Sequence, residues 1–249
     1  LPDGVFNVVL GNGGTGATLV ENPALGLVSI TGSVRAGIAV AVSAAQQLKR
    51  AHLELGGKAP AIVFGDVDIE KTATGIAEAA FFNGGQDCTA ATRVIVHESI
   101  HDQLVEALVR NAEKLRPGAP SDPDAFYGPL NNINHFNAVS DKIANLPASA
   151  KIVTGGKRSG ETGFFFEPTV ITGVAQSDDI VQEETFGPIL TVQSFSDEKE
   201  AITLANDVRF GLASSIWTKD HGVTQRVYAA LDFGAVWINC HIPLVAEMP

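Results

Sequence analysis

Two kinds of apolar run alternate along this chain. Short stretches rich in valine, isoleucine and phenylalanine give way to helix-length stretches whose apolar positions recur three and four residues apart. That is the pattern of strands joined by crossover helices. Read in order, it predicts a strand over 5–10, a glycine-rich turn over 11–14 and a short helix over 17–21 that breaks before Pro23. A strand over 27–30, a turn over 31–37 and a helix over 38–49 follow, the helix so rich in Ala, Val and Leu that burial on several faces is expected. A strand then ends at Glu54-Leu55, Gly56-Gly57 breaks it, and a strand over 61–64 leads to a helix from the N-cap Asp68 to Phe82.

The second half repeats the theme. Strand 93–97, helix 100–115, a Pro-rich loop over 116–124 and helix 133–146 come first, then strands near Ile152, over 166–174 and over 189–195. Helix 198–206, strand 213–217, helix 223–231 and strand 235–239 complete the series, with no internal repeat. The expected class is α/β. An open parallel sheet needs neighbours on both sides, so both ends of the chain read as cut from something longer.

Composition narrows the function. The 249 residues are 45% hydrophobic and 18% charged, enough to bury a substantial core. A formal net charge of −11 with no Lys/Arg stripe excludes a nucleic-acid surface and disfavours an anionic membrane. No apolar run reaches the roughly 20 residues needed to cross a bilayer, and Leu1-Pro2-Asp3-Gly4 has no signal-peptide character. Two cysteines, Cys88 and Cys240, fit a reducing cytoplasm.

Two local patterns carry candidate chemistry. In Phe82-Asn83-Gly84-Gly85-Gln86-Asp87-Cys88-Thr89-Ala90 the glycines allow a tight turn, and a helix following Cys88 would stabilise its thiolate. The bland alternative is a buried Cys beside a glycine-rich loop. In Leu53-Glu54-Leu55-Gly56-Gly57-Lys58 a carboxylate ends a strand. It is either a surface residue or a general base at the sheet's carboxyl edge, its affinity for protons raised by the flanking leucines. Cys240 and His241 suggest a catalytic pair or metal ligands, but no further ligands stand at suitable spacing, and that reading is rejected.

Taken together the patterns resemble the aldehyde dehydrogenase superfamily. Glu-Leu-Gly-Gly-Lys is followed 34 positions after its glutamate by the cysteine of Gly-Gln-x-Cys, then by Glu183-Glu184-Thr185-Phe186-Gly187-Pro188. Thr31-Gly32-Ser33-x-x-x-Gly37 is similar to the family's phosphate-side turn. The resemblance implies a partial Rossmann-like cofactor domain over 1–55 and an α/β catalytic domain over 56–249. It implies Cys88 as nucleophile, with its own N–H in the oxyanion hole, and Glu54 as the base that hydrolyses the thioester. NAD, or NADP, would lie on Thr31, Gly32, Ser33, Leu55, Glu184 and Phe186, with the pyrophosphate at a helix N-terminus. Outside the resemblance, Glu183 and Glu184 read as a solvated acidic pair; Gly13-Gly14-Thr15-Gly16 suggests a phosphate loop by itself, but the resemblance implies an ordinary turn there.

Substrate contacts are implied at Asp87 and Asn239. Gly-Gln-Asp-Cys-Thr-Ala-Ala and the tail from Asn239 to Pro249 resemble the aminoaldehyde branch, in which a carboxylate could pair with the substrate's ammonium. Asp87 as a helix cap and Asn239 as a turn former remain the alternatives. The chain departs from the family in lacking the upstream Pro-Trp-Asn and adenosine-binding Lys segments, the downstream Lys-containing glycine-rich segment and the strand used for dimer and tetramer assembly. Two expectations follow: an NAD(P)-dependent aminoaldehyde dehydrogenase whose parent is a homo-oligomer, or a folded piece or substrate-binding domain without turnover. Acyl transfer to coenzyme A is disfavoured because Glu54 is present to activate water.

Overall fold

A computed structural model describes residues 1–244, which divide into two compact units, Leu1–Gly56 and Gly57 onward. Each is built on parallel strands.

In the first unit, helix α1 (Gly13–Glu21) precedes strand β1 (Leu27–Thr31), helix α2 (Val34–Ala45) and strand β2 (Arg50–Glu54). The strands pair in parallel from Leu27↔Arg50 to Thr31↔Glu54. Two capping side chains move the helix starts ahead of the expected positions. Asn12 accepts the Gly14 N–H, so α1 begins within the expected glycine turn; Ser33 accepts the Ala36 N–H at 3.3 Å, so α2 begins at Val34. The turn expected over 31–37 therefore shrinks to Gly32-Ser33. Residues 5–10 form no strand, because none of their backbone groups finds a ladder partner; Phe6, Val9 and Leu10 stand exposed.

The second unit is a seven-stranded sheet in the order β5-β6-β7-β4-β3-β8-β9. Its strands are β3 (Ala59–Val63), β4 (Ala91–His97), β5 (Lys151–Thr154), β6 (Thr169–Thr172), β7 (Ile189–Phe195), β8 (Ala213–Trp217) and β9 (Ala235–Ile238). All neighbours run parallel except the β5–β6 edge pair. Both faces are covered, and strand periodicity decides which residue goes where. Ala61, Val63, Val94 and Val96 pack under α3 (Ile69–Phe81) and α4 (His101–Ala112). Their neighbours Ile62, Ile95, Phe195 and Ile216 pack under α7 (Glu198–Asn206) and α8 (His221–Ala230). A third cluster gathers α5 (Ile133–Ala144) and the short α6 (Asp179–Gln182) against Ile171 and Ile189.

Differences from the expected elements are local. The strand expected over 166–174 contracts to β6, since Pro168 cannot donate to a ladder and Phe166 pairs instead with Arg158 in an isolated bridge. The short α6 has no periodicity to announce it. The helix expected after Cys88 is absent: residues 86–90 are a turn that runs straight into β4. Among the described residues, no helix is long and apolar enough to cross a membrane.

Candidate active site

Three loops meet at the amino ends of three adjacent strands in the second unit. Gly57 precedes β3, Cys88 precedes β4 and Gly187 precedes β7, and the sheet order sets these strands side by side as β7-β4-β3. The thiol, expected at the mouth of a helix, stands instead ahead of a strand. Glu54, by contrast, ends β2 of the first unit, at that strand's carboxyl end.

Glycines let the three loops close on one another. A Cβ at Gly57 would fall onto the carbonyl oxygen of Cys88, and one at Gly85 onto the carbonyl oxygen of Gly187. Gly85 also has φ +67°, which favours glycine independently. A Cβ at Gly187 would press on Val139 of α5 at 2.9 Å. The glycines of the three motifs are thus a packing requirement, and the requirement is what brings the motifs together.

Gln86 and Asn83 shape the Cys88 loop from within. Gln86 Oε1 accepts the Asn131 N–H at 2.9 Å, and its Nε2 donates to the carbonyls of Asn83 and Pro129 at 3.0 and 3.3 Å. Asn83, at φ +51°, donates back to the Gln86 carbonyl at 2.9 Å. Asp87 faces the other way. Its Oδ1 accepts both the N–H and the hydroxyl of Thr89, at 2.7 and 2.8 Å, so it closes a side-chain turn around Cys88 instead of capping a helix. Cys88 itself is half-buried. With no helix behind it, the expected helix-dipole activation of the thiol is withdrawn.

The two glutamates divide their work. Glu183 pairs at the surface with Arg209, 2.6 Å away, while Glu184 turns inward and accepts the Gly57 N–H at 3.0 Å. Burial raises the Glu184 pKa, opposed by that hydrogen bond and by the nearby basic side chains of Lys58, Arg209 and His135. Lys58 is fully buried; desolvation, with help from Arg93 and Lys142, lowers it to about 7, against the pull of Glu184 and Glu183. Arg93 anchors the same corner, its guanidinium donating to the carbonyls of Lys58, Leu204 and Ala205 at 2.8–3.0 Å. Phe186 sits at φ +53°, a conformation that disfavours a bulky side chain, and is held there by His135 Nε2, 2.7 Å from its carbonyl oxygen. Sequence reading missed Lys58, Arg93 and His135: each is a lone basic residue whose meaning depends on a partner far along the chain.

The remaining expected residues lie elsewhere. In the first unit, Ser33 caps α2 and Thr31 ends β1, while the Gly32 N–H donates to the Glu54 carbonyl at 2.9 Å. Leu55 packs against Gly37 of α2, where a Cβ would come within 2.5 Å of it. Glu54 is not enclosed by its leucines: its side chain is 50% exposed and stands 3.5 Å from His52 Nε2. In the second unit, Asn239 spends both ends of its amide on the Thr218 backbone, at 2.9 and 3.0 Å, which supports the turn-former reading. It lines an open cavity of about 720 Å³ together with Phe82, Phe126, Trp217, Cys240 and His241. The end of the tail, residues 245–249, lies outside the described residues.

A doubly covered, mostly parallel sheet, with a cysteine loop and a loop bearing an inward carboxylate and a strained aromatic converging at its amino edge, defines an α/β protein with a candidate active site. Residues 1–249 match the Aldehyde dehydrogenase family throughout, and the chain belongs to it. It is 41% identical over 255 residues to the betaine aldehyde dehydrogenase of Bacillus subtilis, covering 100% of this chain and 52% of that protein. It is 42% identical over 253 residues to the peroxisomal aminoaldehyde dehydrogenase 1 of Pisum sativum, covering 100% of this chain and 50% of that one. A crystal structure of betaine aldehyde dehydrogenase from Staphylococcus aureus in complex with NAD+ superposes with a TM-score of 0.93 at 40% identity, over 97% of this chain and 49% of the other. The chain spans about half the length of the curated relatives it matches.

Proposed function

We propose that this chain carries the nucleophile-bearing part of an NAD-dependent dehydrogenase that oxidises aldehydes of the aminoaldehyde or betaine aldehyde class to carboxylic acids. The Cys88 thiolate adds to the aldehyde carbon and forms a thiohemiacetal, with the Cys88 N–H steadying the oxyanion. NAD+, when bound, would supply the hydride acceptor that lets the thiohemiacetal become a thioester on Cys88. Glu54 removes a proton from water, which attacks the thioester and releases the acid and the thiol. NADP is the alternative coenzyme, and a reducing compartment such as the cytoplasm would keep Cys88 competent.

The observation that carries this reading is the convergence of Cys88, Glu184 and Phe186 through Gly57, Gly85 and Gly187. The residues fit the coenzyme. Glu184 gives one carboxylate oxygen to Gly57 and retains the other for ribose hydroxyls, and the half-exposed Phe186 ring offers a face to the nicotinamide. Thr31, Gly32 and Leu55 frame the start of α2, where Ser33 and the helix N-terminus suit a pyrophosphate. Asp87 brings a carboxylate beside the thiol, which suits an ammonium-bearing substrate; Asn239 is the second expected contact.

A second reading is a folded chain without turnover. It is favoured by the first unit, whose β2 is exposed along its length and whose Phe6, Val9 and Leu10 are uncovered. One experiment addresses both. The chain is mixed with NAD+ and either 4-aminobutyraldehyde or a neutral aldehyde of similar length, and reduced cofactor is followed in the parent, Cys88→Ala and Asp87→Asn. Cys88-dependent turnover, with Asp87→Asn costing the aminoaldehyde about tenfold more than the neutral one, supports the dehydrogenase and the ammonium contact. No turnover in any form supports the second reading, and equal losses on both aldehydes leave Asp87 as a turn former.

A further inference from the structure

The Cys88 loop is tied down on a second side by a residue that the chemistry above does not use. After β9 the chain reverses through Asn239 at φ +55° and Ile242 at φ +78°, and this return lays His241 against the sheet. The imidazole is buried, leans on the Trp237 ring at a centroid distance of 4.8 Å, and touches the loop directly: Nε2 lies 2.7 Å from the Thr89 carbonyl oxygen. Its other nitrogen, Nδ1, lies 2.8 Å from Ser215 Oγ in the middle of β8. Ser215 Oγ in turn accepts the indole N–H of Trp217 at 2.9 Å.

The ends of this chain of contacts fix its polarity. An indole N–H can only donate and a carbonyl oxygen can only accept. The imidazole must therefore carry a proton on Nε2 to reach Thr89; in the neutral ring that leaves Nδ1 bare, so Ser215 donates to it while accepting the indole N–H. One tautomer of neutral histidine satisfies every link; an imidazolium would make Ser215 accept twice and turn its own proton away from the ring. Burial lowers the His241 pKa to about 4, against the hydrogen bond to Thr89 and the charge of Asp87, the ionisable group that faces it from the loop. Both ring nitrogens are thus committed, which removes His241 as a base for Cys240 or Cys88.

We propose that His241 is a positioning residue for Cys88: the relay Trp217–Ser215–His241 pins the Thr89 carbonyl and so holds the nucleophile loop from the sheet side. Asp87 grips the N–H and hydroxyl of the same threonine, so Thr89 is clamped at three polar groups and Cys88 is left little freedom next to it. This rests on the reading of Cys88 as nucleophile, yet the clamp can be measured without turnover.

The test compares the chain with His241→Phe, which keeps the ring and loses both hydrogen bonds, and His241→Gln, whose amide can still donate to Thr89 and accept from Ser215. Hydrogen–deuterium exchange over residues 86–91 and the iodoacetamide alkylation rate of Cys88, resolved from Cys240 by peptide mass, are the readouts. His241→Phe is expected to raise exchange in the loop about tenfold and to move Cys88 alkylation toward the rate of the denatured chain, with His241→Gln restoring most of both. Ser215→Ala, expected to give a smaller effect that does not add to His241→Phe, covers the case in which the phenylalanine variant does not fold. Val227→Ala, buried on the opposite face of the sheet, is expected to lower stability without loosening the loop. Unchanged exchange and alkylation in His241→Phe, failure of glutamine to rescue, or equal loosening by Val227→Ala would each overturn the assignment. Loss of the clamp with no dehydrogenase activity anywhere would leave the clamp standing and count against the functional reading alone.

Discussion

Buried charges at the amino edge of the sheet set the properties of the site residue by residue. Desolvation lowers the Lys58 pKa to about 7 and raises that of Glu184, so burial disfavours the charged form of both. A pH dependence follows for Lys58. Its folded pKa, about 7, lies below its ordinary value of 10.5, so the unfolded chain binds more protons between those values. Stability therefore rises with pH across that window, and the penalty for a buried ammonium is fully present below it. Urea unfolding from neutral to about pH 10 is expected to show this rise in the parent and a flatter profile in Lys58→Met; parallel profiles would show that Lys58 is not the titrating group.

At the scale of elements, close backbone approach decides which loops can meet. Gly85 combines a left-handed backbone with a carbonyl where a Cβ would stand, and neither can yield without moving the Glu183–Pro188 loop. Gly85→Ala is expected to cost about 1–3 kcal/mol of stability and to loosen the Cys88 loop. A melting temperature equal to the parent's would mean that the loops are not locked together there. Element boundaries were legible in the sequence wherever periodicity or a cap spoke: β3, β4, β7, β8 and α7 lie close to their expected positions, and Asp68 caps α3 as expected. The failures have physical causes. Residues 5–10 have strand-like side chains and no partner strand, and the turn after Cys88 has a cap-like Asp87 whose acceptor is consumed two residues on. Strand propensity and capping potential are local; whether a ladder or a helix takes them up is not.

For the molecule as a whole, spacing identified the family before any contact was known, because Glu54, Cys88 and the Glu183–Pro188 motif stand in order along one chain. What spacing could not supply was the means of convergence. The role of Gln86 as a loop brace, the burial of Lys58 and Arg93, the hold of His135 on Phe186 and the relay through His241 all join residues separated by long stretches of chain. Among the described residues, the first unit is a βαβ piece with apolar residues uncovered, and the second is a seven-stranded sheet covered on both faces.

The central claim is that Cys88 forms the covalent intermediate and Glu54 clears it, and the most direct measurement is peptide mass of a trapped acyl-enzyme. The Glu54→Gln chain is incubated with 4-aminobutyraldehyde and NAD+, quenched and digested. The account predicts an acyl group on the Cys88 peptide, formed with about one equivalent of reduced cofactor and persisting through the quench. Reduced cofactor accumulating over many turnovers while Cys88 remains unmodified would contradict it.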